Sequence, residues 1–274
     1  MKRILVTFLI ITAITVGVCY IIFEMPWQTA TGTRASVIFE TGSAIYGEDE
    51  ADSSDETEDL LPDDIDSILI NRKTVPLDTI PSSITVLVNR DYLLPASYTP
   101  ANLVEPKIRF SFNYKSDKRL LRKEAARALE KMFRQAEKKK NIILCGVSGY
   151  RSYQRQREIY LRNVALFGRS TTDTESATPG SSEHQTGLTI DISCASVSYG
   201  LIQAFADSRE GRWVAKNAHK FGYIIRYPEG KSKITGYHYE PWHIRYVGTA
   251  VATYLYENNL TLEEYYGVRT KKTK

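Results

Sequence analysis

Two of the four histidines in this sequence stand among carboxylates at spacings that could bind a metal and activate water. His184 lies in Ser181-Ser182-Glu183-His184-Gln185-Thr186-Gly187-Leu188-Thr189-Ile190-Asp191, and His243 in Tyr239-Glu240-Pro241-Trp242-His243. Period-two alternation over residues 188–194 puts Leu188, Ile190, Ile192 and Cys194 on one face of a strand, and Thr189, Asp191 and Ser193 on the other. A carboxylate between two isoleucines is a poor casual surface charge. Gly187 permits a tight turn, so His184 can fold back towards Asp191. A third nitrogen from His243 would give three protein ligands and an open position, the arrangement of catalytic zinc. Glu240, bent away by Pro241, would then be a carboxylate that does not ligate. Such a group accepts the proton of an attacking water and returns it to a leaving amine. His238 rivals His243 for the third place because it alternates onto the face of Glu240, whereas His219, beside Lys216 and Lys220, reads as a solvated helix residue. No H-E-x-x-H motif occurs. Spacing alone therefore leaves a zinc site and ordinary structural histidines both open.

The elements that must position these groups are mixed. Residues 84–88 read as a strand, and Ser116 as the N-cap of a long helix with Leu121, Ala125, Leu129, Met132, Phe133 and Ala136 at helical spacing. Residues 142–147 and 188–193 have buried-strand patterns. Ser152 caps a second helix ended by Gly168, and residues 170–182 read as a loop. A helix around Trp213, Val214, Ala218 and Phe221 closes at Gly222. Strands at 223–227 and 237–239, a helix through 250–255 and a capping box from Thr261 to Glu264 complete the chain. Strands and helices do not alternate regularly and no glycine-rich phosphate loop occurs. The expectation is an α+β fold with a mainly antiparallel sheet and flanking helices.

The chain has 274 residues and a formal charge of +4. That charge sums opposing blocks: 12 Asp/Glu and no Lys/Arg over residues 35–71, then 33 Lys/Arg against 19 Asp/Glu over residues 72–274, a net of +14. Three cysteines cannot build a disulfide framework. Cys145 and Cys194 read as buried small hydrophobes, with a mutual disulfide left open. After Lys2 and Arg3, residues 4–23 run without a charge, long enough at 1.5 Å per residue to span about 30 Å of hydrocarbon. The run exceeds a typical signal-peptide core, and Glu24-Met25-Pro26-Trp27 follows it where a small-residue cleavage site would be. Residues 1–27 are therefore expected to form a cytoplasmic start and one transmembrane signal anchor, with the remainder outside the cell. Residues 28–80 read as an acidic disordered tether, 81–265 as the folded domain and 266–274 as a basic tail.

Three separated segments carry a resemblance: Ser148-Gly149-Tyr150-Arg151-Ser152; Pro179-Gly180-x-Ser182-x-His184-x-x-Gly187-x-x-x-Asp191; and Glu240-Pro241-Trp242-His243. Together they resemble the VanY-type D-alanyl-D-alanine carboxypeptidases, zinc enzymes of the bacterial cell wall. The resemblance extends over about residues 86–248 and implies a Hedgehog/D,D-peptidase-like fold. It further implies one Zn2+ per chain held by His184, Asp191 and His243, with Glu240 as general base. Arg151 is implied to grip the substrate carboxylate or the developing oxyanion, and Gln156 and Ser182 to contact substrate. A planar fork of donors ahead of a helix N-terminus suits that role for Arg151. Thr189 stands where the family usually has alanine, a departure that narrows the space behind a ligand without removing one.

The expected activity is removal of the C-terminal D-alanine from peptidoglycan stem peptides by a membrane-anchored, extracytoplasmic enzyme. No serine has a lysine three positions on, which excludes an S-x-x-K acyl-enzyme. The basic domain suits anionic wall polymers, and nothing in it suggests a stacking platform for nucleic acid. The alternatives are an L,D-carboxypeptidase or endopeptidase with the same ligands and, in another class, a wall-binding module without turnover. Intact Glu240 argues against the last.

Overall fold

The computed structural model describes residues 75–268. The expected membrane anchor and most of the acidic tether lie outside these residues. Among the described residues no helix is long and apolar enough to cross a membrane.

In chain order the elements are β1 (Leu103–Val104), β2 (Leu121–Arg122), α1 (Lys123–Lys140), β3 (Cys145–Ser148), α2 (Tyr153–Phe167), α3 (Arg169–Glu175), β4 (Thr189–Ser193), α4 (Arg209–Asn217), β5 (Tyr223–Ile225), α5 (Ser232–Thr235), β6 (His243–Tyr246), α6 (Thr249–Glu257) and α7 (Leu262–Tyr265). The main sheet is antiparallel in the order β3-β4-β6-β5. One face of its central strands carries Ile190, Ile192 and Ile244. These pack on the stripe that α1 presents through Ala125, Leu129, Met132 and Ala136, each essentially inaccessible to solvent. Burying the larger of these side chains stabilises the fold by about 1.5–3 kcal/mol apiece. The other face carries Thr189 and Asp191 of β4 opposite Arg245 and His243 of β6.

Several local expectations yield to tertiary hydrogen bonding. Ser116 caps only a single 3-10 turn, Asp117–Arg119, and α1 begins at Lys123. The intervening backbone is committed elsewhere: Lys118 and Leu120 carbonyls accept from Gly149 and Tyr150, and Arg122 donates to Gly187. A helix through Leu121 would break all three. Residues 84–88 form no strand either, because the carbonyls of Ile84 and Val86 are taken by the Arg245 guanidinium instead of a neighbouring backbone. Residues 237–239 do not join the sheet, and Glu240 N donates to Tyr227 O across a turn. Within the expected loop 170–182, Gly168 starts the short helix α3, with Thr172 buried and bonded back to the Gly168 carbonyl. The second helix, the Gly222 stop and the Thr261–Glu264 capping box occur as expected. The packed body reaches slightly past 81–265 at both ends, since Leu77 and Tyr266 share one apolar cluster. Cys145 and Cys194 are buried free thiols.

Candidate metal and substrate site

A short turn and a strand register assemble the donor groups. Glu183–Thr186 make one 3-10 turn that ends at Gly187, whose φ of 67° is left-handed. A Cβ there would be strained by the backbone and would also lie 2.9 Å from a Leu103 methyl, which would have to move aside. The turn points His184 back over β4. Its Nδ1 lies 2.7 Å from the Gly149 carbonyl, an acceptor, which assigns the proton to Nδ1 and leaves Nε2 free, 3.4 Å from Asp191 Oδ2. Asp191 and His243 are direct cross-strand partners, with His243 Nδ1 3.2 Å from Asp191 Oδ1. The two imidazoles meet edge to face at 5.1 Å.

His184, Asp191 and His243 form a group able to hold a metal ion, their candidate ligand atoms all within 4.8 Å of one another. Asp191 Oδ1 is buried and faces His243 Nδ1 at 3.2 Å outside hydrogen-bond geometry, so its charge needs a cation beside it, the imidazolium or a metal ion shared by both. Two imidazole nitrogens and a carboxylate oxygen, with space on one side, fit zinc in a three-ligand open site. The electrostatics favour a charged acid here. Burial works against the Asp191 carboxylate, but His184 and His243 outweigh it and hold its pKa well below the ordinary value. Burial likewise opposes the His243 imidazolium, yet contacts with Asp191 and Glu183 and the charge of Glu240 lift its pKa to about 9.

Glu240 approaches from the turn before β6, fixed by the bond from His243 N to Glu240 O. Its Oε2 is 3.6 Å from His243 Nδ1, and the side chain is 26% exposed, facing an open cavity of about 180 Å³. Arg151 and Ser182 line the same cavity. Arg151 Nη1 donates to Gln156 Oε1 at 2.9 Å and Nη2 reaches Ser148 Oγ at 3.3 Å. Gln156 lines the cavity too, but its amide is spent at both ends, on Arg151 and on the Ala177 carbonyl. These bonds hold the Arg151 guanidinium from one side while Gln156 itself still borders the cavity. Lys118, half-buried and close enough to Arg151 and Asp191 to feel their charges, adds a cation that the sequence did not single out. His238 is exposed and outside the donor group. His219, expected in solvent, is buried and stacked on Tyr256 with ring centroids 3.8 Å apart.

The sequence reading also missed a buried ionic cluster beside the donors. Glu183 receives Arg226 Nε and Arg245 Nη1 at 2.7 Å each, and Arg226 in turn grips Glu263 through two bonds of 2.8 and 2.6 Å. All four side chains are wholly buried. The available signal was a charge one place after an aliphatic residue in each strand pattern, Ile225-Arg226 and Ile244-Arg245. Thr189, the departure noted above, directs its hydroxyl at Glu183 Oε2, 3.4 Å away.

The chain is 50% identical over 197 residues to YodJ of Bacillus subtilis (strain 168), covering 71% of this chain and 72% of that one. Among solved structures, the LdcB LD-carboxypeptidase superposes with a TM-score of 0.67 at 50% identity, over 70% of this chain and 89% of that chain. A variant of the vancomycin-resistance D,D-pentapeptidase VanY, solved in complex with Zn(II), gives 0.54 at 32% identity over 68% and 99%. The α+β fold is thus that of hydrolases of the carboxypeptidase class. Residues 118–249 match the family described as VanY, D-alanyl-D-alanine carboxypeptidase, and the chain belongs to that family.

Proposed function

We propose that this protein is a zinc carboxypeptidase that removes the C-terminal D-alanine from peptidoglycan stem peptides, held outside the cell by its N-terminal anchor. The observation that carries the reading is the meeting of His184, Asp191 and His243 with Glu240 and Arg151 around one cavity. His184, Asp191 and His243 would hold the zinc, which when bound would supply the Lewis acidity that activates water near neutral pH. Arg151, steadied by Gln156 and Ser148, pairs with the substrate's terminal carboxylate and sets the scissile bond over the donors. Glu240 takes the proton from the attacking water and delivers it to the departing D-alanine amine. Ser182 borders the cavity as a further substrate contact. The basic surface, net +14 over residues 72–274, suits a setting of anionic wall polymers.

Release of D-alanine from tetrapeptide stems, an L,D-activity, is the second reading, favoured by the 50% identity to LdcB. One assay separates the two. The full-length protein is incubated with defined pentapeptide and tetrapeptide stems, with zinc and with chelator, and free D-alanine is measured. Zinc-dependent release from pentapeptide is expected, insensitive to penicillin. Release from tetrapeptide alone would establish the second reading, and undiminished turnover after complete metal removal would refute both.

A further inference from the structure

Glu183 sits next to a donor in sequence yet belongs to no donor set, and its geometry gives it a distinct task. Its side chain is fully buried. Oε1 is clamped between Arg226 Nε and Arg245 Nη1, both at 2.7 Å, which leaves Oε2 turned towards β6. There it stands 3.5 Å from His243 Nε2. That buried nitrogen has no hydrogen-bond partner within the usual range, and His243 presents its other nitrogen, Nδ1, to Asp191 and Glu240. The ring is therefore faced by a carboxylate on each side, one within the donor group and one behind it.

We propose that Glu183 is a positioning residue for the metal: its fixed carboxylate faces the Nε2–H of His243 and so holds the tautomer and ring orientation in which the Nδ1 lone pair points at the metal position. The inference rests on the zinc reading above. A histidine that ligates through one nitrogen is commonly oriented by an acceptor at the other, and an anionic acceptor also makes the ligating nitrogen a better donor. The two histidines here are oriented differently. His184 has the neutral Gly149 carbonyl behind it, whereas His243 has a full charge. The clamp explains why the carboxylate stays in place. Arg226 is fixed at its far side by Glu263, and Arg245 by the carbonyls of Ile84 and Val86, so neither guanidinium can drift and release Oε1.

The competing account makes Glu183 only a counter-charge for two buried arginines. Glu263 provides the comparison, because it neutralises Arg226 in the same cluster without being placed against His243. Zinc affinity of the full-length protein is measured by competition with a chelating dye, and the Tm of the metal-free protein is recorded alongside. E183Q is expected to bind zinc about 10- to 100-fold more weakly than wild type. E263Q is expected to lower the metal-free Tm while changing zinc affinity less than about threefold, since it leaves the partner of His243 in place. E183D keeps the charge that the arginines need but ends one methylene short of His243, so it decides the matter even if E183Q fails to fold. E183D is expected to lose zinc affinity about tenfold or more, while its metal-free Tm falls no further than that of E263Q, which keeps its zinc. Wild-type affinity in E183D, or equal losses in E183Q and E263Q, would overturn the proposal. A wild-type protein that binds no zinc would instead overturn the metal reading on which it stands.

Discussion

Glu240 and Arg151 face one cavity from different elements, and their substitutions should fail in different ways. Glu240 lies on a turn and does not support the sheet, so Glu240→Ala should leave Tm and zinc uptake near wild type. Its kcat should fall about 10²- to 10⁴-fold, the usual loss when a positioned acid–base group is removed. Arg151→Lys keeps the charge but loses the planar fork that Gln156 and Ser148 aim. Loss of one charged hydrogen bond, about 1.5–3 kcal/mol, should appear mainly as a 10- to 100-fold rise in KM. Steady-state kinetics on a pentapeptide stem read both. At this scale Asp191 and His184 could be read from local alternation and the turn at Gly187, and His243 only through the family resemblance, since spacing left His238 as its rival. Glu183 could not, since its importance comes from Arg226 and Arg245, which reach it only through the folded sheet.

The turn from Glu183 to Gly187 is the element on which the donor geometry depends. An alanine at 187 would have to adopt φ near 67°, at about 1–2 kcal/mol, and place its Cβ 2.9 Å from a Leu103 methyl. Gly187→Ala should therefore lower the Tm of the metal-free protein and, by shifting the turn that carries His184, weaken zinc binding. Calorimetry and dye competition test the two effects separately, and unchanged affinity would show that the turn can move without the imidazole. Elements stabilised from within were legible: α1 from its apolar spacing, α2 from Ser152 and Gly168, and the Thr261–Glu264 capping box. The elements misread were those whose backbone groups find distant partners. Ser116 has the chemistry of a long-helix cap, but bonds to Gly149, Tyr150 and Gly187 stop the helix from starting there. Residues 84–88 have strand composition, but a guanidinium occupies the place of the neighbouring strand.

For the molecule as a whole, the buried charges set a window of pH stability that metal-free protein should display. Burial alone would raise the Glu183 pKa, but Arg226 and Arg245 depress it far below its ordinary 4.5. Its contribution is therefore complete above about 4.5 and is lost as the pH falls below that value. His243 has the opposite sign: its pKa rises from 6.5 to about 9, so its contribution is complete below 6.5 and is lost as the pH climbs towards 9. His184 and His219, whose pKa values burial lowers, subtract stability as the pH falls below 6.5. The Tm of chelator-treated protein should accordingly peak near pH 6.5, falling as the pH climbs towards 9 and again on acidification. A Tm still rising from pH 7 to 9 would contradict the His243 assignment.

The carbonyls of Ile84, Thr85 and Val86 are held by the side chains of Arg245 and Tyr266. Point attachments of this kind release one after another, whereas a ladder of paired strands must shear as a unit. Tension arriving along the polypeptide from upstream would peel this stretch before the sheet yields. Such a pull would have to strip Val86, Leu87 and Val88 from the core as well, so the order of detachment is set by side-chain anchors and burial, not by strand pairing.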